Sequence, residues 1–438
     1  MEHEQPSFPP SGLSRRDLLT ASVAAVTLGG APKSLAAPIS FDRSAKSAAS
    51  LASDEAYWRS VARFYDRTEG IVNLEQGYWA KMANPVKDTY FQALEMVNTQ
   101  TSLYARKDYN ADMDKAVMAV ADGLGAKPSE IAITENATES FHNLMRQYRG
   151  FEPGDGVLMA DIDYPAFKRF MRWQAVQNQG PLIEVIIPER ANQDEVFQQY
   201  LNAFDANPSL KLMLVTHVSN QHGLVVPVAR IATEARKRGI TVICDAAQSW
   251  GLLDFSISDL GVDFAAFNLH KWIGAPLGLG ALYISESAID AIAPFHGDAP
   301  EESRSIRARV HPATRDFAAT LAIPKAFEFH EAVGPAAKEA RLKYLRNLWV
   351  AEARSMSHIE LLGGTNPASI TGISSFRIRG KKTVSDAVSL QKRLEAEFGV
   401  FTVMRDGLNG GACVRITPQV FNTPNDIEVL VSAMGKLA

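Results

Sequence analysis

ITVICDAAQSWG at 240–251 and DFAAFNLHKWIGAPLGLGALYI at 263–284 decide the fold of this chain. ITVIC (240–244) runs into Asp245, with Gln248 three residues further on. DFAAF (263–267) is followed by Lys271, and a glycine-spaced run then leads into GALYIS (280–285). Continuous apolar runs of this length suit strands covered on both faces. Polar side chains just beyond the ends of such strands stand where open α/β sheets bind their ligands.

Working outward, four more apolar runs read as strands: IAIT (131–134), GVLMA (156–160), LIEVII (182–187) and KLMLVTHV (211–218). Helical patterns fall between them at 137–149, 165–178, 192–205 and 227–238. Strand and helix in alternation imply an α/β large domain over 85–317, built on a mostly parallel seven-stranded sheet. Tyr164, Asn220, Asp245 and Lys271 all lie at or just past expected strand ends. From 318 onward the pattern changes to long helices. SSFRIRG (374–380), a helix near 384–398, VFTVM (400–404), ACVRIT (412–417) and a last helix from about 424 follow. Residues 318–438 therefore read as a smaller α+β domain, and 55–84 as a segment packed on both.

The first 36 residues read as a leader. Ser14-Arg15-Arg16-Asp17-Leu18-Leu19 is a twin-arginine pattern, followed by an apolar stretch to Ala31 and the small-x-small site Ser34-Leu35-Ala36. The stretch is shorter than the ~20 residues that a bilayer span needs, so no stable membrane insertion is expected. The expectation is a periplasmic protein, exported by the twin-arginine translocation machinery and cleaved after about Ala36. Residues 37–54 read as a tether or an early helix.

Composition excludes some classes. A net charge of −4 gives no basic footprint for nucleic acid. The nine histidines show no HExxH-like pairing, so no metal site is expected. Cys244 and Cys413 are the two cysteines. Cys244 lies inside an apolar run, so a buried thiol is expected there rather than a bridge.

An acid closing one strand, a glutamine three residues on, and a lysine past the next strand form the layout of a pyridoxal phosphate (PLP) site. PLP is an electron sink. A lysine amine holds its aldehyde as a Schiff base, and Lys271 is the candidate. A carboxylate beside the ring nitrogen keeps that nitrogen protonated, and Asp245 suits this role. The arrangement resembles the class V aminotransferase family, of PLP-dependent transferase fold type I, and within it the isopenicillin N epimerase-like branch. The resemblance covers about residues 65–435.

The resemblance implies further roles. Gln248 would bond the ring's phenolic oxygen. Ala137 and Thr138, after Asn136 in IAITENATES, would grip the phosphate at a helix start, and Asn136 with Glu139 resembles a capping box. Asn268 and His270 flank Lys271 as the family's phosphate-side residues do, although the typical serine is absent at 268. His270 also fits a purely structural histidine. Tyr164 matches the residue that stacks on the ring, or serves as a turn tyrosine before Pro165. Asn220 resembles the asparagine near the cofactor. Where the family commonly has Thr-Gly or Glu-Gly this chain has His222-Gly223, which points His222 toward substrate. Thr314 matches a threonine reaching the phosphate of a neighbouring subunit, which implies a homodimer. Arg415 matches the arginine that clamps a substrate α-carboxylate, work suited to its planar fork, or it is an exposed strand arginine. Tyr78 and Trp79 face substrate or simply pack.

The expected substrate is an amino acid, or an amino-acid group in a peptide-like metabolite. An aminotransferase moves the α-proton to the cofactor, and an epimerase returns a proton on the opposite face. A cysteine desulfurase needs an exposed, mobile thiol, and neither cysteine resembles that family's loop cysteine. C–S lyase chemistry needs no thiol and stays open, as does tailoring of a secreted metabolite such as a siderophore. A non-catalytic binding protein on the same fold would not need Lys271, Asp245 and Arg415 together.

Overall fold

The computed structural model describes residues 39–43, 46–300, 302–311 and 313–437. The expected leader, residues 1–36, lies outside the described residues. Within 37–54, Ala48–Ala52 is a short helix whose Leu51 and Ala52 are buried. No helix among the described residues is long and apolar enough to cross a membrane.

In chain order, β1 (Val72–Asn73) is a two-residue strand. It is followed by β2 (Ile131–Thr134), β3 (Gly156–Ala160), β4 (Leu182–Val185) and β5 (Leu210–Thr216). Next come β6 (Thr241–Asp245), β7 (Phe264–Asn268) and β8 (Gly280–Ile284). β2 to β8 form one seven-stranded sheet in the order β2-β8-β7-β6-β5-β3-β4. β7, β6, β5, β3 and β4 pair in parallel, and β8 pairs antiparallel with both of its neighbours. This is the mostly parallel sheet of PLP-dependent fold type I.

The strand ends shift by a residue or two from their sequence reading. Two shifts matter for the site: β6 includes Asp245 and β7 includes Asn268, so both side chains start from fixed sheet backbone. At the sheet's edge β4 stops at Val185. There the Ile187 N–H turns away to donate to Asp161 Oδ1 at 3.0 Å, just ahead of Pro188.

The helix Ala137–Gln147 follows β2 directly. Asn136 Oδ1 caps it by accepting from the Glu139 N–H at 2.9 Å, an interaction contributing about 1 kcal/mol. The expected capping box is only half made, because Glu139 reaches back to the Glu135 N–H instead of that of Asn136. Phe141 of this helix stacks on Phe167 of the helix Pro165–Asn178, with centroids 4.1 Å apart and planes within 8°. Such pairs add roughly 0.5–1.5 kcal/mol beyond area burial. They fix the helix start over the ends of β6 and β7.

A second sheet lies beyond the long helix Pro335–Ala353. It is built from β9 (Ile359–Leu362), β10 (Ser374–Ile378), β12 (Val403–Arg405) and β13 (Cys413–Ile416), antiparallel in the order β12-β13-β10-β9. Its core gathers Trp349, Phe376, Leu394, Val414 and Leu430. β11 (Val400–Phe401) pairs in parallel with β1, so the chain leading to Glu75 is knitted into this half.

The turn after β5 closes on the second sheet. Gly223 sits at φ +72°, and a Cβ built there would lie 2.1 Å from the Ile373 carbonyl oxygen. Gly223→Ala therefore meets left-handed strain and a backbone clash together. The expected loss is about 3 kcal/mol of stability, read from the midpoint of urea unfolding; an unchanged midpoint would contradict the close approach.

Candidate active site

The ends of β5, β6 and β7, the start of the helix Ala137–Gln147, and the chain after β1 enclose a cavity of about 460 Å3. Its wall includes Tyr78, Trp79, Ala137, Thr138, Tyr164, Asn220, Asp245, Gln248, Asn268, His270, Lys271 and Arg415. Twelve of the fourteen residues expected from sequence are thus brought together.

Burial sets the charges. It pushes the Lys271 amine down to about 8, with Arg415 and Arg405 adding to the effect and Asp245 opposing it. It raises the Asp245 carboxyl, against the Ala247 N–H and the Lys271 charge. Asp245 Oδ1 accepts from that N–H at 2.9 Å, which fixes the carboxylate's aim. Behind it Asp163 is fully buried, bonded by the Thr216 hydroxyl at 2.6 Å, and raised to about 7 by burial.

The amide of Gln248 is fixed at both ends. Its Nε2 donates to the Gly77 carbonyl at 2.8 Å and its Oε1 accepts from Trp272 Nε1 at 2.9 Å. One amide proton is left over. His270 Nδ1 donates to the Leu279 carbonyl at 2.8 Å, since a carbonyl can only accept. Burial, then Lys271, bring the His270 ring down to about 4 and keep it neutral. Asn268 Oδ1 accepts from the Ala137 N–H at 2.9 Å. With the Ala137 N–H bonded to Asn268 and the Glu139 N–H to Asn136, Thr138 is the residue of the first three whose donors stay open at the cavity. Gly280 makes this cradle possible, because a Cβ there would lie 2.6 Å from Asn136 Cα.

Arg415 is fully buried. Its guanidinium donates to Glu75 Oε1 at 2.6 Å and to the Asn220 carbonyl at 2.7 Å. Its Nε is buried with no partner, as is Asn220 Oδ1. Arg405 also lines the cavity and stands 3.6 Å from Glu75; burial, then Arg415, bring it down to about 10. Sequence reading missed both Glu75 and Arg405. Glu75 stood three residues before the noted Tyr78, in NLEQGYW. A lone acid there carries no signal until its partner is placed.

Two expected residues lie elsewhere. His222 is fully buried and outside the cavity wall, with neither ring nitrogen bonded. The turn around it is closed by the Gly223 N–H on the Ser219 carbonyl and pinned by the Ser375 hydroxyl on the Gln221 carbonyl. Burial there, then Arg377, bring the His222 ring down to about 3. Thr314 is exposed in a separate depression with Tyr109, Arg315 and Phe317. Within one chain it does not reach Lys271. Cys244 and Cys413 are buried and unbridged, and burial pushes the Cys413 thiol up to about 11.

These residues fit PLP. Lys271 would hold its aldehyde, Asp245 its ring nitrogen, Tyr164 its ring face and Thr138 its phosphate. Open buried donors and acceptors remain on Arg415 and Asn220 for what binds beside it. The fold and the site together define a PLP-dependent enzyme. Residues 84–430 match the family described as Aminotransferase class-V, and the chain belongs to that family. It is 24% identical over 403 residues to the isopenicillin N epimerase of Amycolatopsis lactamdurans, covering 87% of this chain and 98% of that protein. It is 26% identical over 335 residues to the isopenicillin N epimerase of Streptomyces clavuligerus, covering 72% and 81%. In fold it is similar to a solved cysteine desulfurase from Thermococcus onnurineus NA1. That match has a TM-score of 0.73 at 20% identity, over 86% of this chain and 97% of that one.

Two predictions follow from the charges. Only the neutral Lys271 amine attacks an aldehyde, so the rate at which apoprotein takes up PLP should rise with pH and level off above about 8. A rate still climbing at pH 10 would contradict the lowered amine. Arg415→Ala leaves the Glu75 carboxylate, which is 8% exposed, with only the longer Arg405 contact at 3.6 Å to balance its charge. The expected loss is about 3–5 kcal/mol in chemical unfolding, and Glu75→Gln made together with it should recover part of that loss.

Proposed function

We propose that this PLP-dependent enzyme acts at the α-carbon of an amino acid, or of an amino-acid group in a peptide-like metabolite, by transamination or epimerisation. The carrying observation is that Lys271, Asp245 and Arg415 line one cavity. When bound, the cofactor supplies an electron sink for the pair left at the α-carbon. Arg415 orients the α-carboxylate, with Arg405 beside it. Lys271, already lowered toward neutrality, takes the α-proton and can return it. Asp245 holds a proton at the ring nitrogen. Tyr164, Tyr78 and Trp79 limit water at the reacting carbon.

The names of the two isopenicillin N epimerases support epimerisation. That reaction needs a second acid on the opposite face, and Tyr78 and Tyr164 are the phenolic hydroxyls in the cavity wall. Desulfurase chemistry has no support from Cys244 or Cys413, since both thiols are buried and outside the cavity wall.

The proposal includes a homodimer, in which Thr314 reaches the partner's phosphate site. The exposed Tyr78, Trp79 and Leu277 support it, since they leave apolar surface beside the cavity. It also includes export to the periplasm by the twin-arginine machinery, supported by Ser14 to Leu19 and the site ending at Ala36.

The test incubates holoenzyme with a panel of amino acids and short peptides in D2O. Deuterium at the α-carbon with loss of chirality and unchanged cofactor would identify epimerisation. A keto acid with pyridoxamine phosphate would identify transamination. Lys271→Ala should slow either by about 10²–10⁴-fold. Release of pyruvate with sulfide, and no α-deuterium in recovered substrate, would overturn the proposal in favour of C–S cleavage.

A further inference from the structure

Away from the Lys271 cavity, a second recess of about 240 Å3 lies between the helix Pro335–Ala353 and the turn at 364–370. Its polar side carries Arg346, Asn347, Arg354 and Thr365, and its apolar side Val350 and Ile370. No carboxylate lines it.

Arg346 is only 6% exposed. It donates to Asn347 Oδ1 at 2.8 Å, while its Nε is buried with no partner. Burial, then Arg354 and Arg190, bring its pKa down to about 10, so its charged neighbours are of its own sign. The buried arginines Arg341, Arg377 and Arg415 each meet a glutamate. Among the described residues no carboxylate pairs with Arg346, Arg354 or Arg190. A guanidinium buried among like charges is costly unless an anion pairs with it. Its planar fork suits a phosphoryl group, and a second arginine beside it doubles the available donors.

We propose that this recess binds a phosphate monoester, with the phosphoryl group between Arg346 and Arg354 and the carbon body against Val350 and Ile370. Thr365 adds a hydroxyl on the same wall. The site stands apart from Lys271, so it does not depend on which α-carbon reaction the enzyme performs.

The experiment titrates glycerol 3-phosphate into PLP-saturated holoenzyme by calorimetry, with ionic strength held constant by chloride. Loading the enzyme with PLP and removing the excess keeps the probe out of the cofactor's own phosphate cradle and leaves the recess free, since PLP is itself a phosphate monoester. Saturable binding is expected, weakened about tenfold by Arg346→Gln and by Arg354→Gln. Arg354 is exposed, so its variant tests the site even where loss of Arg346 disturbs folding. Heat no greater than that of matched chloride, or unchanged affinity in Arg354→Gln, would overturn the assignment.

Discussion

The buried pair of Glu75 and Arg415 holds the cavity together. Attraction between two buried charges does not by itself offset their lost hydration. Here each partner is bonded again: Arg415 to the Asn220 carbonyl, and Glu75 Oε2 to the Thr417 hydroxyl at 3.0 Å. The pair therefore ties the chain after β1, the turn after β5 and the strand β13 around one point. Gly77 is part of the arrangement, since a Cβ there would lie 2.6 Å from Arg415 Nη2. An incoming carboxylate meets an arginine that its own chain has already half neutralised. Arg405 lines the cavity beside it and adds a second guanidinium.

Burial tunes the other groups in one direction, toward the less charged form. Lys271 and His270 are lowered and Asp245 is raised, in each case chiefly by loss of water. Burial of these three groups at the ends of the strands does this without a dedicated partner for each. Fixed hydrogen bonds then do the aiming, through Ala247 on Asp245, Leu279 on His270 and Ala137 on Asn268.

The sheet was legible because its strands are buried on both faces and read as unbroken apolar runs between amphipathic helices. Lys271 and Asp245 were legible for a related reason, since strand ends are local features, whereas Asn268 and Thr138 came from resemblance. Arg415 was found by resemblance, and its partner was not. A buried ion pair across 340 residues of sequence leaves no periodicity to read. His222 was misplaced because sequence shows that a residue differs from a pattern but not which way its turn closes. That closure depends on Ser375 and Ile373 in the other sheet, contacts that only the folded chain makes.

The parallel pairing of β1 with β11 carries a consequence for the order of assembly. Val72 meets Val400, and three residues after Val72 comes the partner of Arg415. A chain growing from its N-terminus can complete β6, β7 and the Lys271 turn while β11 and β13 are still unmade. Contacts this distant in sequence close late. During synthesis Lys271, proposed to hold the cofactor, is therefore in place before Arg415, proposed to orient the substrate, and Glu75 waits without Arg415 until the final strands arrive. On that proposal, completion of the C-terminal strands is the event that would turn a cofactor holder into a substrate-selective site.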